Sequence, residues 1–255
     1  MDIKNHTTRE SEFFKITKLL SCLALFDKVP EKMIMHFAEK SYFKTQKKGK
    51  ILFFHGDEAL CFFVMIDGWV KLFRETFDGS EAILDVLDHY GIFGLDSLFN
   101  DKKYTYSAEI VEDAKYLVLP TSLLHYYMQK NQQITINILG LLSKNQLSQS
   151  REIEHFHVQN APQKIGCFLL RLCNADHKDW ITINLPYDKS LISSRLGMKP
   201  ETFSRGLFKL KQDTDLEIKG SSITIKNIQK MVDYTCNHCS QIFLCNNGHN
   251  KQDQM

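Results

Sequence analysis

Three cysteines crowd into the last 20 residues of this 255-residue chain: Cys236, Cys239 and Cys245. Thiolates at such short spacings hold soft metals, as zinc ligands or around iron–sulfur clusters. His238 and His249 share the stretch, and Cys245-x3-His249 completes a Cys3His set of the kind zinc takes. The alternative is a tail with three free thiols. The other four cysteines, Cys22, Cys61, Cys167 and Cys173, are scattered.

A second group of residues could read nucleic acid. Glu201, Ser204 and Arg205 fall at i, i+3 and i+4, one face of a helix near its start, with Thr202 beside them. Arg205 can donate a bidentate pair to guanine O6 and N7, and Glu201 can accept from cytosine N4–H or adenine N6–H. Ser204 can serve a base or a phosphate. Lys199, Arg195 and Lys209 are candidates for phosphate contacts, which position a protein on DNA without reading its sequence. The competing reading is a solvated helix face with a charge pair at i, i+4.

The elements that must position these residues are legible around them. Asp188 can cap a helix over Lys189–Leu196, Gly197 supplies a left-handed turn residue, and Pro200 opens a second helix running to about Gln212. Phe203, Leu207 and Leu210 form its inward face, leaving Glu201, Ser204 and Arg205 on another. Leu216–Ile225, turning at Gly220, reads as a β-hairpin, the wing that follows many helix-turn-helix pairs. Helix, glycine turn, proline-led helix and wing together match a DNA-binding winged helix, whose second helix enters the major groove. Upstream, Ala161-Pro162 marks a boundary. Ile165, Phe168, Leu169 and Leu172 follow at helical spacing, and Trp180–Leu185 reads as a strand closed by Pro186.

The front of the chain is organised differently. Residues 11 to 41 read as helical, through Phe13, Ile16, Leu19, Leu20 and Leu23. A second start lies at Pro30, with Met33, Ile34 and Phe37 on one side. From Tyr42, short β-rich runs are punctuated by Gly49, Gly56, Gly68, Gly79 and Gly91, with a hairpin expected at Asp78-Gly79 and closure near Tyr116–Pro120. This pattern predicts a small antiparallel barrel or sandwich. Ser122 could cap a short helix ending at Lys130. A longer helix, from Gln132 to about Ile153, carries the stripe Ile134, Ile138, Leu141 and Asn145, which suits a dimer seam with one polar residue in register. The alternative is a helix packed on its own domain. The expected segments are 1–120, 121–158, 159–232 and a cysteine-rich 233–255.

Composition excludes several classes. The chain is 43% apolar and 24% charged, ordinary values for a globular protein. Its longest apolar run, Ala59 to Ile66, is far short of the roughly 20 residues of a membrane span. Met1–Leu20 is charged throughout and has no apolar h-region, so a cytosolic protein is expected, and seven cysteines there do not read as a disulfide framework. The net charge of +2 is uneven. Residues 160–235 carry 12 basic and 8 acidic side chains, residues 1–159 carry 19 and 21. A basic third behind an acidic front fits a nucleic-acid module joined to something else. No enzyme is expected. A cupin oxygenase needs two histidines and a carboxylate, and the β segment offers only His55 and His89, far apart. H-E-x-x-H, G-x-S-x-G and a phosphate-binding glycine loop are absent.

Gly49-x6-Gly56-x11-Gly68 in a β segment, a long helix and a winged helix-turn-helix together resemble the Crp/Fnr superfamily of bacterial transcription regulators, over residues 20 to 232. The implied fold class is α+β: an N-terminal jelly-roll-like β-roll, a dimerisation helix and a C-terminal winged helix. The Pro200-Glu-Thr-Phe-Ser-Arg205 run is similar to the Fnr and Dnr branches. That similarity implies a homodimer on a TTGAT-N4-ATCAA palindrome, with half-sites about 34 Å apart and RNA polymerase as a partner. The family's cyclic-nucleotide site uses a Gly-Glu pair and an Arg-Ser-Ala run. Here Leu95 follows Gly94 and Tyr106 precedes Ser107-Ala108, so no cyclic nucleotide is expected. The Fnr branch holds a [4Fe-4S] cluster by an N-terminal C-x2-C-x5-C run and a distant cysteine. This N-terminus has only Cys22, and the distant position falls near Leu117. The same spacing recurs at Cys236, Cys239 and Cys245, which by resemblance reads as a displaced cluster site. Its fourth ligand is open among Cys22, Cys61, Cys167, Cys173, an aspartate or a tail histidine, and zinc remains the competing metal. The Dnr branch also suggests haem as a sensor, with His155 and His157 at the end of the long helix.

Overall fold

The structure, a computed structural model, describes residues 2–173, 181–185, 189–220 and 222–236. It divides into two compact units, Met1–Ser143 and the chain from Lys144 onward. Among the described residues no helix is long and apolar enough to cross a membrane.

The first unit begins with α1 (Asp2–Cys22), a 3-10 turn at Ala24–Phe26 and α2 (Glu31–Lys40), which Pro30 caps. Six strands follow: β1 (Tyr42–Gln46), β2 (Ile51–Phe53), β3 (Cys61–Glu75), β4 (Glu81–Leu87), β5 (Ile92–Phe93) and β6 (Ser107–Pro120). All pair antiparallel, in the order β1-β6-β3-β4, with β2 on β6 and β5 on β3.

The long strands β3 and β6 are covered on both faces, which is why Phe62–Met65 is apolar without alternation. Phe62 and Val64 of β3, with Leu117 and Leu119 of β6, join a core made with α1, α2 and, further along the chain, Leu124, Ile134 and Ile138. Their neighbours Phe63, Met65, Tyr116 and Val118 face the other core. That second core is aromatic. Phe53 stacks on Tyr104 at 3.6 Å between centroids, and Phe63 on Phe93 at 5.0 Å.

Gly68 is not the turn its spacing predicts. It lies inside β3 at φ +79°, where the register against β6 shifts, and a Cβ there would lie 2.3 Å from the Asp113 carbonyl oxygen. It is a bulge glycine. The Asp78-Gly79 hairpin forms as expected, closed by Thr76 N donating to Ser80 O.

Helix α3 (Thr121–Lys130) is capped by Pro120, with Ser122 already inside the helix. Thr121 N, the first amide of the helix, donates to the carbonyl of Leu60, just ahead of β3. Asn131 Oδ1 accepts from Ile134 N and starts α4 (Gln132–Val158), five residues longer than expected.

The proposed seam on α4 is corrected. Ile134 and Ile138 are buried in the core of their own unit, with Leu141 packed against them. Other apolar residues of α4 are exposed instead, with Ile136, Leu139, Leu147, Ile153 and Phe156 each at least half exposed. Helical spacing identifies an amphipathic helix but not the neighbour it packs on.

The second unit is built on the end of α4, α5 (Ala161–Arg171), α6 (Lys189–Arg195), α7 (Pro200–Thr214) and α8 (Ile228–Cys236). A three-stranded sheet of β7 (Ile181–Asn184), β8 (Leu216–Lys219) and β9 (Ser222–Ile225) runs in the order β7-β9-β8. A capping box at Asn160 and Gln163 starts α5. The expected cap Asp188, with Trp180 and Pro186, lies outside the described residues. Helix α8 was not foreseen, although Ile228, Met231, Val232 and Thr235 have helical spacing. It carries the fold past residue 232 and places Cys236 on a packed helix, not in an appended tail.

One carboxylate ties three helices of this unit. Glu152 Oε1 of α4 accepts from Arg171 Nη1 of α5 at 2.8 Å and from Arg195 Nη2 of α6 at 2.6 Å. Burial disfavours the Glu152 charge. The hydrogen bond and charge of Arg195, joined by those of Arg171, outweigh it and hold the carboxyl below the ordinary glutamate value of 4.5. A pKa lowered by folding adds stability above the unfolded value, and that stability is lost as pH falls through the folded one. Glu152→Gln should therefore unfold at lower urea concentration than the parent chain at pH 7. The gap should narrow once pH falls below about 4.5. Equal gaps at about pH 7 and pH 3 would contradict the assignment.

Candidate nucleic-acid interface

Helix α7 has a packed face and an open one. Phe203, Gly206, Leu207 and Leu210 are buried. A Cβ on Gly206 would lie 2.9 Å from Ile165 Cδ1 of α5, and one on Gly166 of α5 would lie 2.4 Å from Thr235 Oγ1 of α8. The two glycines let α7 and α8 rest on α5 at close range. Ahead of α7, Gly197 adopts φ +62° and lies under the Phe156 ring, where a Cβ would meet Cζ at 2.7 Å. Lys164 Nζ sits 4.1 Å from the centroid of the same ring. The turn between α6 and α7 is thus held from α4 and α5.

The open face of α7 exposes Glu201, Thr202, Ser204, Arg205 and Lys209, with Lys199 exposed at the N-cap. Pro200 takes the first helical position, where its missing N–H leaves no bond unmade. Arg205 Nε donates to the Glu201 carbonyl oxygen at 3.4 Å, which keeps the guanidinium beside the first turn. Arg195 is placed differently from expectation. Its side chain is only 13% exposed and is engaged by Glu152, so it belongs to the clamp that holds α6, not to a free phosphate-contacting surface. A residue not foreseen joins the open face: Phe208, 62% exposed, seven positions after Glu201 and three after Arg205. Its spacing was available in the sequence. The wing strands β8 and β9 are present, with exposed Lys219 and Lys226, and Lys226 Nζ lies 2.6 Å from Glu217 Oε1.

Of the expected metal ligands, Cys236 is half-buried in the last turn of α8. Cys239, Cys245, His238 and His249 lie outside the described residues. No group of three or more His, Cys, Asp or Glu side chains that could hold a metal ion occurs among the described residues. Cys22 is exposed at the end of α1 and Cys61 is half-buried on β3. Cys173 is buried, its thiol donating to Leu169 O and pushed up by burial to about 11. Cys167 is buried with its Sγ 3.5 Å from His155 Nδ1, which turns His155 inward, while His157 is exposed. In the roll, the position expected to meet a nucleotide phosphate holds Tyr106, whose hydroxyl accepts from Gly94 N at 2.8 Å. Ser107 Oγ accepts from His55 N, and Ser97 Oγ donates to Gly94 O. His55 and His89 are both exposed.

Residues 43–131 match the cyclic nucleotide-binding domain model, and residues 163–234 match the Crp-like helix-turn-helix domain model. Among solved structures, the chain is 31% identical to a Ruegeria pomeroyi protein provisionally described as a cyclic nucleotide binding protein. The match covers 86% of this chain and 96% of that one, with a TM-score of 0.66. FixK2 from Bradyrhizobium japonicum shares the fold at a TM-score of 0.68 and 20% identity, covering 79% of this chain and 98% of that one. Among curated proteins, the fumarate and nitrate reduction regulatory protein of Vibrio cholerae is 24% identical over 74% of this chain and 77% of its own length. The two matched domains in this order, with a relative aligned nearly end to end, place the chain in the Crp/Fnr family of transcription regulators, which bind DNA and are not enzymes.

Proposed function

We propose that the chain is a homodimeric, sequence-specific DNA-binding regulator that reads a TTGAT-type palindrome through α7. In this reading it responds to redox state, oxygen or nitric oxide through metal held by its C-terminal cysteines. The observation that carries the DNA reading is the open first half of α7. Glu201, Thr202, Ser204 and Arg205 stand exposed on its first two turns, while its other face is anchored on α5. The roles follow from chemistry: Arg205 for guanine, Glu201 for cytosine or adenine, Ser204 for a base or phosphate, Lys199 and Lys209 for phosphates. A dimer is supported by the exposed Ile136, Leu139, Leu147 and Ile153 of α4. Gly140 among them has open space where a Cβ would stand, so a second helix could approach closely. RNA polymerase is the partner that the family implies.

The donor set fits a metal. Cys236, Cys239 and Cys245 offer three thiolates, the first at the end of a packed helix and partly open to solvent. A [4Fe-4S] cluster bound there supplies a group labile to oxygen and nitric oxide. Zinc is the second reading, favoured by the Cys245-x3-His249 spacing. In this reading the roll takes no cyclic nucleotide: Tyr106 stands where the family's arginine would face the phosphate, and its hydroxyl accepts from Gly94 N.

Arg205→Ala should lower discrimination at the guanine of the half-site by about tenfold or more, one bidentate contact, and leave salt-dependent non-specific binding intact. Gel shifts with guanine-substituted duplexes check this, and unchanged discrimination would contradict the assignment. Protein prepared without oxygen should contain iron and absorb broadly near about 400 nm, both lost in Cys236→Ser. Zinc without that absorption would support the second reading, and absence of both metals would contradict a metal sensor.

A further inference from the structure

Phe208 is a large apolar side chain left 62% exposed on a helix that otherwise buries its apolar residues well. At about 100° per residue, it projects between Ser204 and Arg205 and close to the direction of Glu201, near the middle of the open face. Burying a phenyl ring is worth about 1.5–3 kcal/mol, so an apolar group that covers Phe208 in the bound state would add to affinity. Its surroundings say what sort. Ser204, Arg205, Lys209 and Lys211 are exposed around it, which suits an anionic partner that offers small apolar groups. On the base edges of the DNA major groove there is one such group, the thymine C5-methyl.

The spacing also fits. Three residues of helix rise by about 4.5 Å, slightly more than the roughly 3.4 Å between base pairs. With Arg205 at a guanine, Phe208 lies over the next base pair or the one after. In a TTGAT half-site every pair flanking the guanine is A·T and carries one thymine methyl. We infer that Phe208 is a specificity-determining residue that packs on a thymine methyl one or two base pairs from the guanine read by Arg205. The inference rests on the DNA reading proposed above.

The test uses the full chain and palindromic duplexes in which the thymines of each half-site are replaced by deoxyuridine, one position at a time. This removes only a methyl group. For the parent chain one position should weaken binding about fourfold per half-site, the scale of one buried methyl group. In Phe208→Ala that position should become silent while the others behave as before, and Phe208→Leu should restore part of the effect. Thermal melting checks that the variants fold, and the exposed position makes that outcome expected. Equal deoxyuridine effects in the parent and Phe208→Ala at every position would overturn the contact. So would a Phe208→Ala variant that binds the thymine duplex as tightly as the parent. If the parent itself does not prefer the palindrome, the DNA reading falls. If it does and the effects are additive, only the role of Phe208 falls.

Discussion

The close approach of α7 and α8 to α5 is the constraint on which the second unit depends. At Gly206 and Gly166 the helices meet nearly backbone to side chain, and no larger residue fits without movement. That contact fixes which way α7 turns. Phe203, Leu207 and Leu210 must face inward, so Glu201, Ser204, Arg205 and Phe208 must face out. The Glu152 clamp adds direction where packing alone gives little. Two guanidinium groups meet on one carboxylate oxygen, and such partly buried pairs set geometry more than they add net stability. Phe156 over Gly197 completes the arrangement by holding the turn before α7.

The first unit is organised by a different constraint, the pairing of β3 with β6. Because both strands are long and covered on both faces, they divide the apolar residues between two cores. The inner core is filled by rings: Phe53, Phe63, Phe93 and Tyr104 stack together. At the end of the roll where related proteins would meet a phosphate, tyrosine and serine hydroxyls bond instead to backbone groups of the roll itself. These bonds already engage the Tyr106, Ser107 and Ser97 hydroxyls, and in the proposed reading sensing falls to the cysteines.

Much of this was legible in the sequence where local chemistry decides. Gly197, Pro200 and the apolar spacing of Phe203, Leu207 and Leu210 specify two helices and a turn without help from distant residues. Glycine-punctuated β runs likewise specify a roll. What was not legible depends on distant partners. Gly68 has the spacing of a turn glycine, but Asp113 on β6 makes it a bulge. Ile134 and Ile138 have the spacing of a dimer seam, but the core of their own unit takes them. Arg195 looks like a free cation until Glu152, 43 residues earlier, claims it. Phe208 and α8 are different. Their spacing was visible, but an aromatic on a polar helix face and a short helix after a wing do not stand out from pattern alone.

The central claim is that the open face of α7 reads base sequence. Binding of the 255-residue chain to a TTGAT-N4-ATCAA duplex and to a scrambled duplex of equal length, titrated over a range of salt concentrations, tests it most directly. Similar salt slopes are expected for both, because phosphate contacts are shared. Binding to the palindrome should be about 1,000-fold or more tighter at a given salt concentration. Equal affinity for the two duplexes at every salt concentration would contradict the claim.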